Sequence, residues 1–108
     1  MTVLSDQEFR LKSDDALEHA RKMLLDVADT EGFEVGLQNG VLNVEFEEPT
    51  AMKFVVSPNA PTRQIWVAAM TKSYKLPWSD ELATFALNGE SLSQLLGRLV
   101  RMFLDGTH

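Results

Sequence analysis

Cysteine is absent from the 108 residues, and that one absence removes several chemistries together. Disulfides, thiolate nucleophiles and cysteine-held metals are all excluded. Histidine is almost as scarce: neither His19 nor His108 has a second histidine at metal-binding spacing. No Gly-rich phosphate loop follows a predicted strand, so nucleotide binding has no support. Ser57, Ser73 and Ser91 lack a base and an orienting acid in any recognisable signature, so no residue is assigned a catalytic role. No apolar run approaches the ~18 residues that span a membrane. The N-terminus carries no charged leader followed by an apolar stretch, so a cytoplasmic protein without a membrane anchor is expected. The length suits one domain over residues 1–108.

Bases are few where acids are many. The net charge is −6, but it is unevenly spread. Residues 1–50 hold twelve acids against four bases, a net −8, while residues 51–108 hold four acids against six bases, a net +2. An acidic N-terminal half repels phosphate backbones and speaks against nucleic acid. It suits a basic protein partner or cations. A solvated helix face that only confers solubility would give the same pattern.

The chain opens on a helix. Ser5 and Glu8 form an S-x-x-E capping box, with Leu4 and Phe9 at the positions of a hydrophobic staple. Apolar residues recur at Phe9, Ala16, Ala20, Leu24 and Val27, flanked by Leu17, Met23 and Ala28, which predicts one buried face ending near Gly32. From Phe33 the period becomes two, and Leu42, Val44 and Phe46 alternate with Asn43, Glu45 and Glu47. Asn39-Gly40 is a strong hairpin signal and pairs 33–38 with 41–47. Further strands are expected at 52–57, 63–69, 73–78 and 83–87, separated by Pro, Gly and Ser-Asp punctuation. Asn88-Gly89 marks a turn. Ser91 and Gln94 make a second capping box, followed by the apolar face Leu92, Leu95, Leu96, Leu99 and Phe103. The fold class is α+β: an α–β sandwich with two helices on one face of a five- to six-stranded antiparallel sheet.

Two features could carry function. Asp15, Glu18, Asp26 and Asp29 share one solvent-facing side of the first helix, and Glu31 and Glu34 extend the charge toward the first strand. Oxygen-only clusters of this kind hold hard cations, Fe²⁺ among them, weakly and without a dedicated cage. Lys22, four residues from both Glu18 and Asp26, is expected to pair with them and lower the field. His19 lies near the edge of the buried stripe, where a surface histidine beside an acid is the expected reading. The second feature is Pro61-Thr62-Arg63-Gln64-Ile65-Trp66-Val67. If Ile65 and Val67 face the core, Trp66 stands on the open sheet face as an interface anchor. Alternation alone also allows the reverse register, with Trp66 in the core.

This pattern resembles the frataxin family. Gly40-Val41-Leu42 is similar to the family's G-V-L, and Pro61-x-x-Gln64-Ile65-Trp66 to its P-x-x-Q-[IV]-W. Gly89-x-Ser91-Leu92-x-x-Leu95-Leu96 resembles the entry to its last helix, and the likeness covers nearly the whole chain. The resemblance implies a monomer that binds iron (Fe²⁺ or Fe³⁺) weakly on an acidic ridge at Asp15, Glu18, Asp26, Asp29, Glu31 and Glu34. It implies docking on a cysteine desulfurase and an iron–sulfur scaffold protein, modulating cluster assembly and presenting iron, with Trp66, Gln64, Arg63 and Asn59 at the contact. Lys22 and Leu25 stand where the family commonly has acids, and Ala83 where it has an aromatic, a region Trp78 is expected to fill. Two rival readings remain: a dimeric secretion-type chaperone with an apolar client groove, and a ferroxidase, which would need closely paired carboxylates.

Overall fold

Ser5 starts the first helix as its capping box predicts: its Oγ accepts from the Glu8 amide at 3.1 Å, and Glu8 Oε1 accepts from the Ser5 amide at 3.1 Å. Leu4 and Phe9 are both buried at the staple positions. In this computed structural model, which describes residues 4–106, helix α1 runs Asp6–Glu31 and is ended by Gly32. Gly32 turns left-handed at φ 85° and donates its N–H to the Ala28 carbonyl at 2.7 Å. The residues buried on α1 are Phe9, Ser13, Leu17, Ala20, Leu24 and Ala28. The stripe is therefore centred differently from the expected one: Ala16 and Val27 lie at its margin, and Ser13 occupies a core position that its polarity concealed.

The strands follow in order: β1 Glu34–Gln38, β2 Val41–Phe46, β3 Met52–Asn59, β4 Gln64–Ala69, β5 Lys72–Ser79, β6 Thr84–Leu87 and β7 Glu90–Ser91. Each pairs antiparallel with the next, giving one seven-stranded meander, and helix α2 Leu92–Asp105 closes the chain. The count exceeds the expected five or six because Asn88-Gly89 makes a true hairpin. Its φ values of 53° and 79° match those of Asn39-Gly40 at 54° and 75°, the paired positive angles of a type I′ turn. That turn sets Leu87 opposite Glu90 and creates the two-residue β7. Strand β3 also runs past its expected end at residue 57, through Pro58 to Asn59. Its pairing with β2 ends at Leu42 opposite Val56, so the N–H that Pro58 lacks falls where β3 has outrun that neighbour.

Both helices cover one sheet face. Leu42, Val44, Phe46, Phe54, Val56, Ile65, Val67 and Leu76 point into that layer and meet Leu92, Leu95, Leu96, Leu99 and Phe103 of α2. Phe46 touches the rings of Phe33, Phe54 and Phe103 with centroids 4.6–5.0 Å away. At the other end Phe85 meets Phe9 at 5.6 Å and Trp78 at 5.3 Å, edge to face. The opposite sheet face has no helix over it, and it is on this face that the candidate site lies.

Candidate docking face and acidic ridge

Side-chain alternation with Ile65 and Val67 at 0% and 1% exposure sends Gln64, Trp66 and Ala68 to the open face. Register then surrounds Trp66: Ser57 of β3 lies on one side and Lys75 of β5 on the other. The indole is partly exposed and held by two contacts. Its Nε1 donates to Gln64 Oε1 at 3.0 Å, and Lys75 Nζ sits 4.9 Å from the ring centroid. A shallow groove of about 210 Å³ runs beside the ring over Val55, Ser57, Ala68 and Ser73. Neighbouring open-face positions are small or neutral, so the indole stands above its surroundings.

Arg63 and Asn59 are engaged inside the molecule. Arg63 Nε donates to the Leu4 carbonyl at 3.1 Å, and its other nitrogens reach the Ala60 carbonyl and the Asp6 carboxylate. The guanidinium also lies 5.9 Å from the Phe9 ring centroid, so it clamps the start of α1 to the β3–β4 loop. Asn59 Oδ1 accepts from the Thr62 amide at 3.2 Å and from Thr62 Oγ1 at 2.7 Å, bracing the same loop. Of the four residues expected at the contact, Gln64 and Trp66 are the ones presented on the sheet face.

The ridge carboxylates Asp15, Asp26, Asp29, Glu31 and Glu34 are exposed, and Glu18 is partly buried. The expected pairing of Lys22 with Glu18 is corrected: Arg21, one turn on, takes Glu18 in a forked ion pair, with Nε donating to Oε2 at 2.9 Å and the second nitrogen to Oε1. That hydrogen bonding by Arg21 holds the Glu18 carboxyl below the usual range, and Lys22 contributes as the smallest, through-space cause. Among the described residues, no three carboxylate or imidazole groups converge on a point that could hold a metal. Helix geometry gives the reason. The i, i+3 pairs Asp15/Glu18 and Asp26/Asp29 are separated by eight residues, about 12 Å of rise. Glu34 lies across from Glu45 on the open face, where Lys53 Nζ approaches Glu45 at 3.8 Å.

The sequence profile of the frataxin-like domain matches residues 2–105. The chain belongs to the frataxin-like family. A Pseudomonas fluorescens (strain SBW25) protein named iron-sulfur cluster assembly protein CyaY is 32% identical over 90 residues, covering 80% of each chain. Its namesake from Pseudomonas syringae pv. tomato is 33% identical over 89 residues, covering 79% of each. The solved frataxin of Psychromonas ingrahamii superposes with a TM-score of 0.63 over 96% of this chain and 92% of that one. At 15% identity that likeness concerns the fold alone.

Two features of this frataxin-like chain escaped sequence reading. Trp78 does not fill the space beside Ala83. Instead its ring packs against Phe85 and under Lys12, whose Nζ is 4.7 Å from the centroid, and its Nε1 donates to Asp80 at 3.1 Å. An open cleft of about 370 Å³ remains between Trp78, Ala83 and α1, with Asp15 and His19 on its rim. The second is Lys75 over Trp66, which no local pattern announces because the two residues meet only through strand register.

Proposed function

We propose that this chain is a non-enzymatic accessory protein of iron–sulfur cluster assembly. It docks through the open sheet face around Trp66 onto the scaffold protein and cysteine desulfurase, and carries iron loosely on the α1 ridge. The observation that carries the docking half is the indole of Trp66, partly exposed on a sheet face that no helix covers. Rigid aromatic anchors held in place before binding are what interface hot spots are made of. The names of the CyaY relatives supply the pathway to which that face is assigned.

The iron half follows from donor chemistry. Exposed oxygen donors in separated pairs, with Glu18 engaged by Arg21, suit labile, charge-driven association with cargo iron rather than a resident centre. The same spacing disfavours a ferroxidase, which needs its carboxylates close together. The chaperone reading needs a broad apolar client groove, whereas the large apolar side chains exposed here are Leu11 and Leu82, outside the sheet face. The test is co-purification: a tagged copy in a bacterial lysate should capture cysteine desulfurase and scaffold protein, and Trp66→Ala should fail to. Equal capture by both proteins would remove the face from the reading.

A further inference from the structure

Lys75 stands across the β4–β5 pair from Trp66, and its ammonium rests over the indole. The side chain is exposed and has no carboxylate partner among the described residues. The other open-face lysine, Lys53, differs in lying near Glu45. An ammonium over an aromatic ring is oriented by the ring and gives up part of its hydration on that side. Its outer side remains able to receive an anion.

The surroundings narrow what that anion belongs to. The groove at Trp66 is lined by Val55, Ser57, Ala68 and Ser73 together with Trp66, and Lys75 is the charged side chain on its wall. Such a groove accommodates one apolar side chain of a folded partner, with the cation immediately beside it. At the other edge of the face, Glu34 and Glu45 lie side by side across β1 and β2. The open face is thus polarised, negative at β1–β2 and positive at β5.

We propose that Lys75 is a carboxylate receptor: the protein that covers Trp66 sets an apolar side chain into the groove and an Asp or Glu against Lys75. This rests on scaffold docking at Trp66, and it adds the charge that selects the partner. A rim charge of this kind rejects wrong surfaces and fixes register more than it adds affinity.

The test is a titration with purified bacterial iron–sulfur scaffold protein, using wild type, Trp66→Ala, Lys75→Gln, Lys75→Arg and Lys75→Glu. It is run at about 50 mM and about 300 mM salt, which changes the screening length roughly twofold. Melting curves accompany each variant, and all should be close to wild type because the altered side chains face solvent. Trp66→Ala should lose about 30-fold or more at both salts, as an anchor does. Lys75→Gln should lose roughly 3- to 10-fold at low salt and Lys75→Glu more, with both losses shrinking at high salt and Lys75→Arg near wild type. If Lys75→Glu binds as tightly as wild type while Trp66→Ala does not, the face docks without a carboxylate at Lys75 and the inference falls. A Lys75→Glu loss that is equal at both salts would assign the lysine to packing on the indole, which also overturns it. If neither Trp66→Ala nor Lys75→Glu alters affinity, docking at this face is wrong and the inference falls with it.

Discussion

Ser13 lies at the centre of the buried stripe of α1, 2% exposed, with its Oγ donating to the Arg10 carbonyl one turn back at 3.1 Å. That carbonyl belongs to the helix ladder, so the hydroxyl gains a partner without linking two elements. Ala would remove a buried polar group and improve helix propensity by roughly 0.5 kcal/mol. Ser13→Ala is therefore expected to raise stability by about that amount, seen as a higher denaturant midpoint at unchanged slope. A loss of more than about 1 kcal/mol would mean that the hydroxyl has a role the geometry does not reveal. Ser13 also illustrates why the stripe was only partly legible. A polar residue at a core position breaks the apolar count and shifts the apparent face toward Ala16 and Val27. The Glu18–Arg21 pair was misassigned for a related reason: i+3 and i+4 cations were adjacent in sequence, and the forked guanidinium matches a carboxylate better than an ammonium does.

Elements whose signals are local were read closely from sequence. Both capping boxes form, and both Asn-Gly dipeptides close hairpins. What could not be read depends on neighbours: Pro58 is tolerated where β2 has ended, and β7 exists by pairing with β6. The short β7 is tied to α2 by a side-chain fork. Arg98 Nε donates to Glu90 Oε2 at 2.8 Å and a second nitrogen to Oε1 at 2.9 Å. Hydrogen bonding from Arg98 holds the Glu90 carboxyl below its ordinary value, ahead of the smaller opposing effect of burial. The sign follows from linkage. A carboxyl whose folded pKa is depressed contributes stability above its unfolded pKa, and that contribution is lost as pH falls through the folded value. Both side chains keep solvent contact, so the pair contributes on the order of 0.5 kcal/mol. Glu90→Gln should lower the melting temperature at pH 7, and the difference from wild type should vanish as the pH is taken well below the carboxylate range. A difference that persists in acid would assign the effect to packing rather than charge.

At the scale of the whole molecule, α1 is about 39 Å long by its 26 residues. That length nearly equals the longest molecular axis of 41 Å. The ridge is therefore a line rather than a cluster, which is why spacing could show a shared side while convergence could not be read from it. If iron associates along that line, Asp26→Asn with Asp29→Asn should weaken Fe²⁺ binding in anaerobic titration and leave the melting curve in place, since both side chains are exposed. Undiminished binding in that double variant would move the iron elsewhere.

The sheet divides the molecule into a covered face and an open one, and the docking account depends on that division. Neighbouring residues of β4 test it directly, because Trp66 and Ile65 point to opposite sides. The decisive measurement is a paired one: melting curves and scaffold-protein binding for Trp66→Ala and Ile65→Ala. Trp66→Ala should keep its fold and lose about 2 kcal/mol or more of binding, the size of a hot spot. Ile65→Ala should cost about 2–5 kcal/mol of stability, as truncation of a fully buried side chain does. A folded Trp66→Ala that binds the scaffold protein as tightly as wild type would contradict the account.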